Sequence, residues 1–161
     1  MLQRLFPPHA DNRFQGLRPS LWLLGLLLFL KLLMSFNSIF NTESVAVGAD
    51  GIPLASYGPD AAREVLMLFA LMALGHLAIT LIGLVVLIRY RALVPLIYLV
   101  LLGEMLARRA IVWTYSAPGA KSAEIALLVN YGLLAFLALG LALSLVPARR
   151  ERRAADGEDA R

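Results

Sequence analysis

Cysteine is absent from this chain of 161 residues, and histidine occurs only twice. Without cysteine, disulfides, thiolate metal sites and thiol nucleophiles are excluded. One histidine, His9, lies in the polar N-terminal segment. Two histidines therefore cannot hold a haem between helices, and a histidine-rich zinc site is excluded as well. We expect neither a metal nor a cofactor.

Catalytic signatures are also missing. The sequence contains no H-E-x-x-H, G-x-S-x-G, P-loop or dinucleotide-binding glycine motif. The inverted repeats with broken helices that are common in transporters are not visible either. Ser35 and His76 could formally make a serine–histidine pair inside the membrane, but no nucleophile motif supports it. We expect a protein that is not an enzyme.

Charged residues make up only 16% of the chain, against 60% hydrophobic residues and a mean hydropathy of +0.74. A soluble domain of this length would keep a larger charged surface. The apolar residues instead form four runs, each near the roughly 20 residues that cross a bilayer as a helix. The sequence predicts an all-α integral membrane four-helix bundle over residues 18–147, with spans at 20–40, 65–88, 92–113 and 125–146.

Positive charge is distributed unevenly between the two sides of the predicted membrane. Only Arg63 and Lys121 lie in loops on one side, or four residues if Arg108 and Arg109 are counted. The other side carries Arg4, Arg13, Arg18, Arg89, Arg91, Arg149, Arg150, Arg152, Arg153 and Arg161. This excess predicts that both termini are cytoplasmic. Because the arginines lie at the ends of apolar runs, the net charge of +4 does not indicate nucleic acid.

Three segments lie outside the predicted spans. The cytoplasmic tails, residues 1–17 and 148–161, are polar or charged, and we expect them to be disordered or interfacial. The loop at 41–60 is expected on the periplasmic side. Its residues 44–48 and 52–56 flank Ala49-Asp50-Gly51, which suggests a short hairpin. The apolar content of the loop predicts that it folds onto the helices as a lid.

Ionisable side chains interrupt three of the four runs. Lys31, His76 and Glu104 each lie 12 or 13 residues from the cytoplasmic end of their span. At about 1.5 Å per residue, all three lie roughly 18–20 Å deep. A charge in hydrocarbon needs a partner or an aqueous cavity. We therefore predict that Lys31 pairs with Glu104 and that His76 lies nearby.

A second polar layer lies about 26 Å from the cytoplasmic side. Arg108 belongs to it and follows Glu104 by four residues, which makes it a second cationic partner for that carboxylate. The complete candidate seam comprises Lys31, Ser35, Asn37, His76, Thr80, Glu104, Arg108 and Asn130. The seam has three interpretations: a purely structural network, a pathway or site for a ligand, ion or proton, or long side chains that snorkel to the headgroups.

Small residues predict where helices approach closely. Gly75 and Gly83 lie in the second run. Gly132, Gly140 and Ser144 lie in the fourth, where Gly140-x-x-x-Ser144 forms a small-xxx-small pair.

Several stretches together resemble a known family. They are residues 31–41 (KLLMSFNSIFN), 49–54 (ADGIPL), 89–95 (RYRALVP) and 104–109 (EMLARR). This pattern is similar to that of small, uncharacterised four-helix proteins of the bacterial inner membrane. The resemblance covers roughly residues 20–146 and implies a fold and a location, but not an activity.

Our leading functional hypothesis is a non-enzymatic accessory, scaffold or assembly component in which the seam fixes helix register. The alternative is a small oligomeric carrier or channel that moves a proton or small solute along the seam. A lipid-modifying enzyme using Arg108, Arg109 and Asn130 lacks an activated nucleophile or metal. The expected partners are the lipid bilayer and either a second copy or another membrane protein, with no nucleic acid.

Overall fold

A computed structural model describes residues 5–115 and 124–147, and these residues are all-helical, without a strand. The helices are α1 (Pro19–Phe40), α2 (Thr42–Gly48), α3 (Pro59–Arg89), α4 (Val94–Tyr115) and α5 (Glu124–Leu145). Single 3₁₀ turns occupy Leu54–Ser56 and Arg91–Leu93. Each of the four apolar runs thus contains one long helix, while α2 is an additional short one.

Three helical segments are long and apolar enough to cross a membrane: α1, α3 and residues Leu127–Leu145 of α5. Helix α4 does not meet this description, because Glu104, Arg108 and Arg109 lie within it. Helix α3 begins six residues before the predicted span. Proline at its first position and Asp60 in its first turn suit a helix N-terminus, which explains the early start.

The long helices pack side by side. Helix α1 lies along α3 over most of its length and also contacts α5, while α4 packs against α5 and, less extensively, against α3. Five side chains are fully buried where these helices meet, namely Leu24, Leu28, Tyr98, Leu101 and Leu137. We call this region the tail-proximal half. The Tyr98 hydroxyl donates a hydrogen bond of 2.6 Å to the Ser20 carbonyl oxygen, which joins α4 to α1.

Two of the predicted glycine contacts are present and two are wrong. A Cβ at Gly140 would overlap the Tyr98 ring, and a Cβ at Gly83 would lie 2.7 Å from Leu28 Cδ2. Nothing lies within 4 Å of a Cβ built at Gly75 or Gly132. The two contacting glycines therefore make room for the large buried side chains of the tail-proximal half.

Residues 5–18 pack across the tail-proximal end of the helices. The Leu17 N–H donates to the Leu143 carbonyl oxygen at 3.1 Å, and the Ala92 N–H donates to the Asp11 carbonyl oxygen at 3.2 Å. Gly16 is buried against the backbone of α5. The prediction of disorder is wrong for this segment, because backbone hydrogen bonds that a composition-based prediction does not see hold it in place. The charged tail at 148–161 lies outside the described residues.

The loop after α1 folds as a helix, so the predicted hairpin is wrong. Residues 44–48 belong to α2, where Ala46 is fully buried and the helix contacts both α1 and α3. The Val45 carbonyl oxygen accepts hydrogen bonds from the backbone N–H groups of Ala49 and Asp50, which close the helix. Gly51 follows with φ of 68°, a conformation that favours glycine. Burial of one small apolar face outweighs the weak strand pattern.

Candidate functional site

A cavity of about 400 Å³ lies among α1, α3, α4 and α5, on the side where α2 folds over them. We call this region the loop-proximal half. Its polar lining includes Lys31, Ser35, His76, Glu104, Arg108 and Asn130. Its apolar lining includes Met34, Phe69, Met72, Met105, Val129 and Leu133. Residues Val45, Gly48, Ala49 and Asp50, from α2 and the turn after it, complete the wall.

The Glu104 carboxylate joins three helices at the cavity wall. Its Oε2 accepts a hydrogen bond of 3.2 Å from Lys31 Nζ, and its Oε1 lies 3.3 Å from His76 Nδ1. The three side chains are only 15–20% exposed. Each carboxylate oxygen therefore has one donor from a different helix, and this pairing offsets part of the cost of taking the charges out of water.

Arg108 has a neutral partner instead of an acidic one. Its Nη2 donates a hydrogen bond of 3.2 Å to Asn130 Oδ1, which joins α4 to α5. In the described part of the chain, the ion-pair partners of Glu104 within 4.0 Å are Lys31 and His76. Lys31 therefore takes the carboxylate for which Arg108 was the second predicted partner.

The remaining members of the predicted seam divide into two groups. Ser35 is buried and lines the cavity. Thr80 is fully buried one turn below it, and its hydroxyl donates to the His76 carbonyl oxygen of its own helix. Asn37 is exposed and accepts a hydrogen bond of 2.8 Å from Asn41 Nδ2. The structure thus brings six of the eight residues to the cavity and leaves Asn37 and Thr80 outside it.

Sequence reasoning missed Asp50 as a cavity residue. The close of α2 places it at the cavity wall, although the residue as a whole remains exposed. Burial of its carboxyl raises the pKa of Asp50, and the positive charge of Arg108 opposes that shift. The Asp50-Gly51 pair was the available signal, since such a pair marks a helix end as readily as a hairpin turn.

The imidazole of His76 is committed to Glu104 through Nδ1, which that contact favours as the protonated nitrogen. Its Nε2 is buried and has no hydrogen-bond partner within the described part of the protein. Among the described residues, no hydrogen bond joins Ser35 to His76, so the geometry does not present a serine activated by a histidine.

Within the described ranges, no three histidine or acidic side chains lie close enough together to hold a metal ion. The chemistry available at the cavity is therefore ion pairing and hydrogen bonding beside an apolar wall. No protein-family model, curated protein or solved structure matches the chain, so its function has to be argued from this site alone.

Proposed function

We propose that all four long helices cross a bacterial inner membrane as one bundle, with both termini in the cytoplasm and residues 41–60 on the periplasmic side. The arginine distribution supports this orientation. Helix α4 is the difficult span because of its three charges. Each of them has a partner on a neighbouring helix: Glu104 pairs with Lys31, Arg108 binds Asn130, and the Arg109 guanidinium lies 4.6 Å from the centre of the Tyr131 ring. Partnered charges lower the free-energy cost of a membrane position for this helix.

The absence of cysteine makes this topology directly testable. Single cysteines at two exposed positions, Ser56→Cys in the loop and His9→Cys in the N-terminal segment, report the two sides. In spheroplasts, a membrane-impermeant maleimide should label the loop cysteine at once and the N-terminal cysteine only after lysis. The opposite order would contradict the orientation, and immediate labelling of both would contradict the separation of the two sites by a membrane.

Within this topology, we propose a non-enzymatic accessory, scaffold or assembly component whose polar cluster fixes the register of its helices. The observation that carries the proposal is the Glu104 carboxylate, which contacts Lys31 of α1 and His76 of α3 at once. Leucine-rich helix surfaces can pack in several registers of similar energy. A buried polar contact selects one of them, because every other register leaves a charge unpaired.

Distances between spin labels test the register claim. Nitroxides on cysteines at Leu30 and Leu106, two exposed positions on α1 and α4, report how these helices lie together. The distance distribution should be narrow in the otherwise unchanged chain and broad in the double variant K31L/E104L, even though that variant remains folded. An equally narrow distribution at the same distance in the double variant would refute the register role.

The cavity supports a second candidate, a small oligomeric carrier that moves a proton or small solute. The cavity reaches the Lys31–Glu104–His76 cluster from the loop-proximal side. Transport would then require the packed tail-proximal half to open, or a second copy to complete the path. Proton flux into proteoliposomes tests this candidate: Glu104→Gln should abolish the flux, and a flux unaffected by this change would count against it.

A further inference from the structure

We propose that the cavity is a binding site for a single-chain amphiphile with an anionic headgroup, held with its carboxylate or phosphate against Arg108 and its chain along the methionine-rich wall. The inference goes beyond the register role and relies on the proposed membrane topology only for the route by which the chain enters.

The charges around the cavity favour an anion. Lys31 and Glu104 neutralise each other at 3.2 Å. Arg108 keeps its full positive charge, since its hydrogen-bond partner is the neutral amide of Asn130 and no described carboxylate lies within 4.0 Å of it. A guanidinium has five N–H donors in a planar fork that matches carboxylate and phosphate oxygens. The contact to Asn130 fixes one of these donors and leaves others for a ligand.

Asp50 is the acid that could compete for this position. It lines the same cavity, but it does not lie within ion-pair distance of Arg108. Burial raises the pKa of its carboxyl, which weakens the negative charge that it presents. A ligand carboxylate or phosphate that contacts the guanidinium directly therefore gains more from Arg108 than Asp50 does.

The apolar wall suits a flexible chain. Three methionines line the cavity: Met34 on α1, Met72 on α3 and Met105 on α4. Methionine side chains are unbranched and adapt to apolar ligands of irregular shape. Met34 and Met72 are 45% and 40% exposed, so the wall that they form continues to the outer surface of α1 and α3. In the proposed topology that surface faces lipid, which gives an alkyl chain a direct route into the site.

The shape of the cavity favours binding over passage. Its volume of about 400 Å³ lies in the range of small-molecule sites, roughly 300–1,000 Å³. Directly below it, Leu28 and Leu101 are fully buried in the packed tail-proximal half. A chain that enters therefore meets a closed floor with the ion pair of Lys31 and Glu104 at its edge.

Photo-crosslinking of the full-length protein in phosphatidylcholine nanodiscs tests the proposal. The probe is dodecanoic acid that carries a terminal diazirine, and mass spectrometry locates the modified residues. We expect modification at cavity residues such as Met72 and Met105. Excess dodecanoate should suppress it, whereas dodecanol, which has the same chain without the charge, should not. Lauroyl lysophosphatidate as competitor distinguishes a lipid-derived headgroup from a free fatty acid: stronger suppression than by dodecanoate assigns the site to phosphate, and weaker suppression assigns it to carboxylate.

A pair of adjacent arginines supplies a matched control. Arg108→Gln should weaken probe binding by about tenfold, because a hydrogen-bonded charge is lost. Arg109→Gln should leave it unchanged, since Arg109 stacks on Tyr131 and does not line the cavity. Arg108→Lys should retain part of the binding.

Three results would overturn the proposal: equal labelling in Arg108→Gln and the unaltered chain, equal competition by dodecanol, or modification confined to outer positions such as Phe29 and Ile82. The competition experiment needs no variant, so a folding defect of Arg108→Gln does not remove the test. Spin-label distances between α1 and α4 and the maleimide labelling report the register role and the topology separately, so failure of amphiphile binding is distinguishable from failure of either.

Discussion

The two halves of the helical assembly are held together by different means. In the tail-proximal half, aliphatic side chains and the Tyr98 ring are fully buried, and residues 5–18 add backbone hydrogen bonds across the helix ends. In the loop-proximal half, the same helices surround a cavity of about 400 Å³ and meet through Lys31, His76 and Glu104. Close packing holds one half and polar contacts hold the other. Only the hollow half has room for a ligand.

Glycine and ring size explain much of this contrast. The close approach of α5 to α4 depends on Gly140, since a Cβ there would occupy the space of the Tyr98 ring. In the loop-proximal half, a Cβ added to Gly132 of the same helix would meet nothing within 4 Å, and the space beside it remains open. Dispersion contacts are lost wherever such space is left, so the hollow half depends more on its charges.

The largest effect is expected where the hollow half loses its shared acid. Glu104→Leu leaves Lys31 and His76 without their carboxylate, and it should lower the free energy of unfolding by about 3 kcal/mol, because an unpaired charge remains in the interior. Lys31→Leu combined with Glu104→Leu should recover most of this loss. Denaturant titration in mixed micelles measures it.

Glu64→Leu is the matched control for this prediction. Glu64 is exposed in the second turn of α3, so its loss should change stability by no more than about 0.5 kcal/mol. If Glu104→Leu behaved like this control, polar contacts would not be what holds the loop-proximal half.

A smaller effect is expected from filling the close contact of the packed half. Gly140→Ala places a methyl group against the Tyr98 ring and should destabilise the protein by about 2 kcal/mol through overpacking. Gly132→Ala, two turns earlier on α5, meets open space and should be neutral or slightly stabilising through helix propensity. The same titration compares them, and equal stabilities of the two variants would show that the tail-proximal half is not closely packed at Gly140.

The sequence was sufficient to predict depth within the helices. Counting residues from the cytoplasmic end placed Lys31, His76 and Glu104 at one level, and the structure joins them there. Rotation about the helix axis was not used, although it was accessible. At about 100° per residue, Asn37 lies roughly 240° around α1 from Lys31, whereas Ser35 lies only about 40° away. This rotation explains why Ser35 lines the cavity and Asn37 does not.

Other features depended on contacts that a linear pattern does not encode. The docking of residues 5–18 rests on hydrogen bonds from Leu17 to Leu143 and from Ala92 to Asp11, which join segments far apart in the chain. Helix α2 forms where an alternating pattern suggested a strand, because burial of Ala46 against α1 and α3 decides between the two. In both cases tertiary contact overrides local preference.

A still smaller effect is expected at the hydrogen bond between α4 and α1. Tyr98→Phe removes the hydroxyl that donates to the Ser20 carbonyl oxygen and should cost about 1 kcal/mol, while the ring continues to fill its space. Tyr131→Phe is the control, because Tyr131 is exposed and its ring remains available to Arg109. An equal stability of the two variants would show that packing alone holds the tail-proximal half together.

The smallest effect concerns the pH dependence of α2 over the cavity. Burial raises the pKa of Asp50 above its ordinary value, so the folded state takes up a proton more readily than the unfolded state does. The docked position of α2 is therefore favoured at low pH, and this contribution is lost as pH rises from the ordinary carboxyl pKa through the raised one. Amide hydrogen exchange in α2, corrected for the intrinsic rate, should accelerate over that window. Asp50→Asn should remove the pH dependence, whereas Glu43→Gln, at an exposed position of the same helix, should retain it. A pH dependence that survives Asp50→Asn would separate the closure of the hollow half from this carboxyl, and the helix lid would then be held by apolar burial in the same way as the packed half.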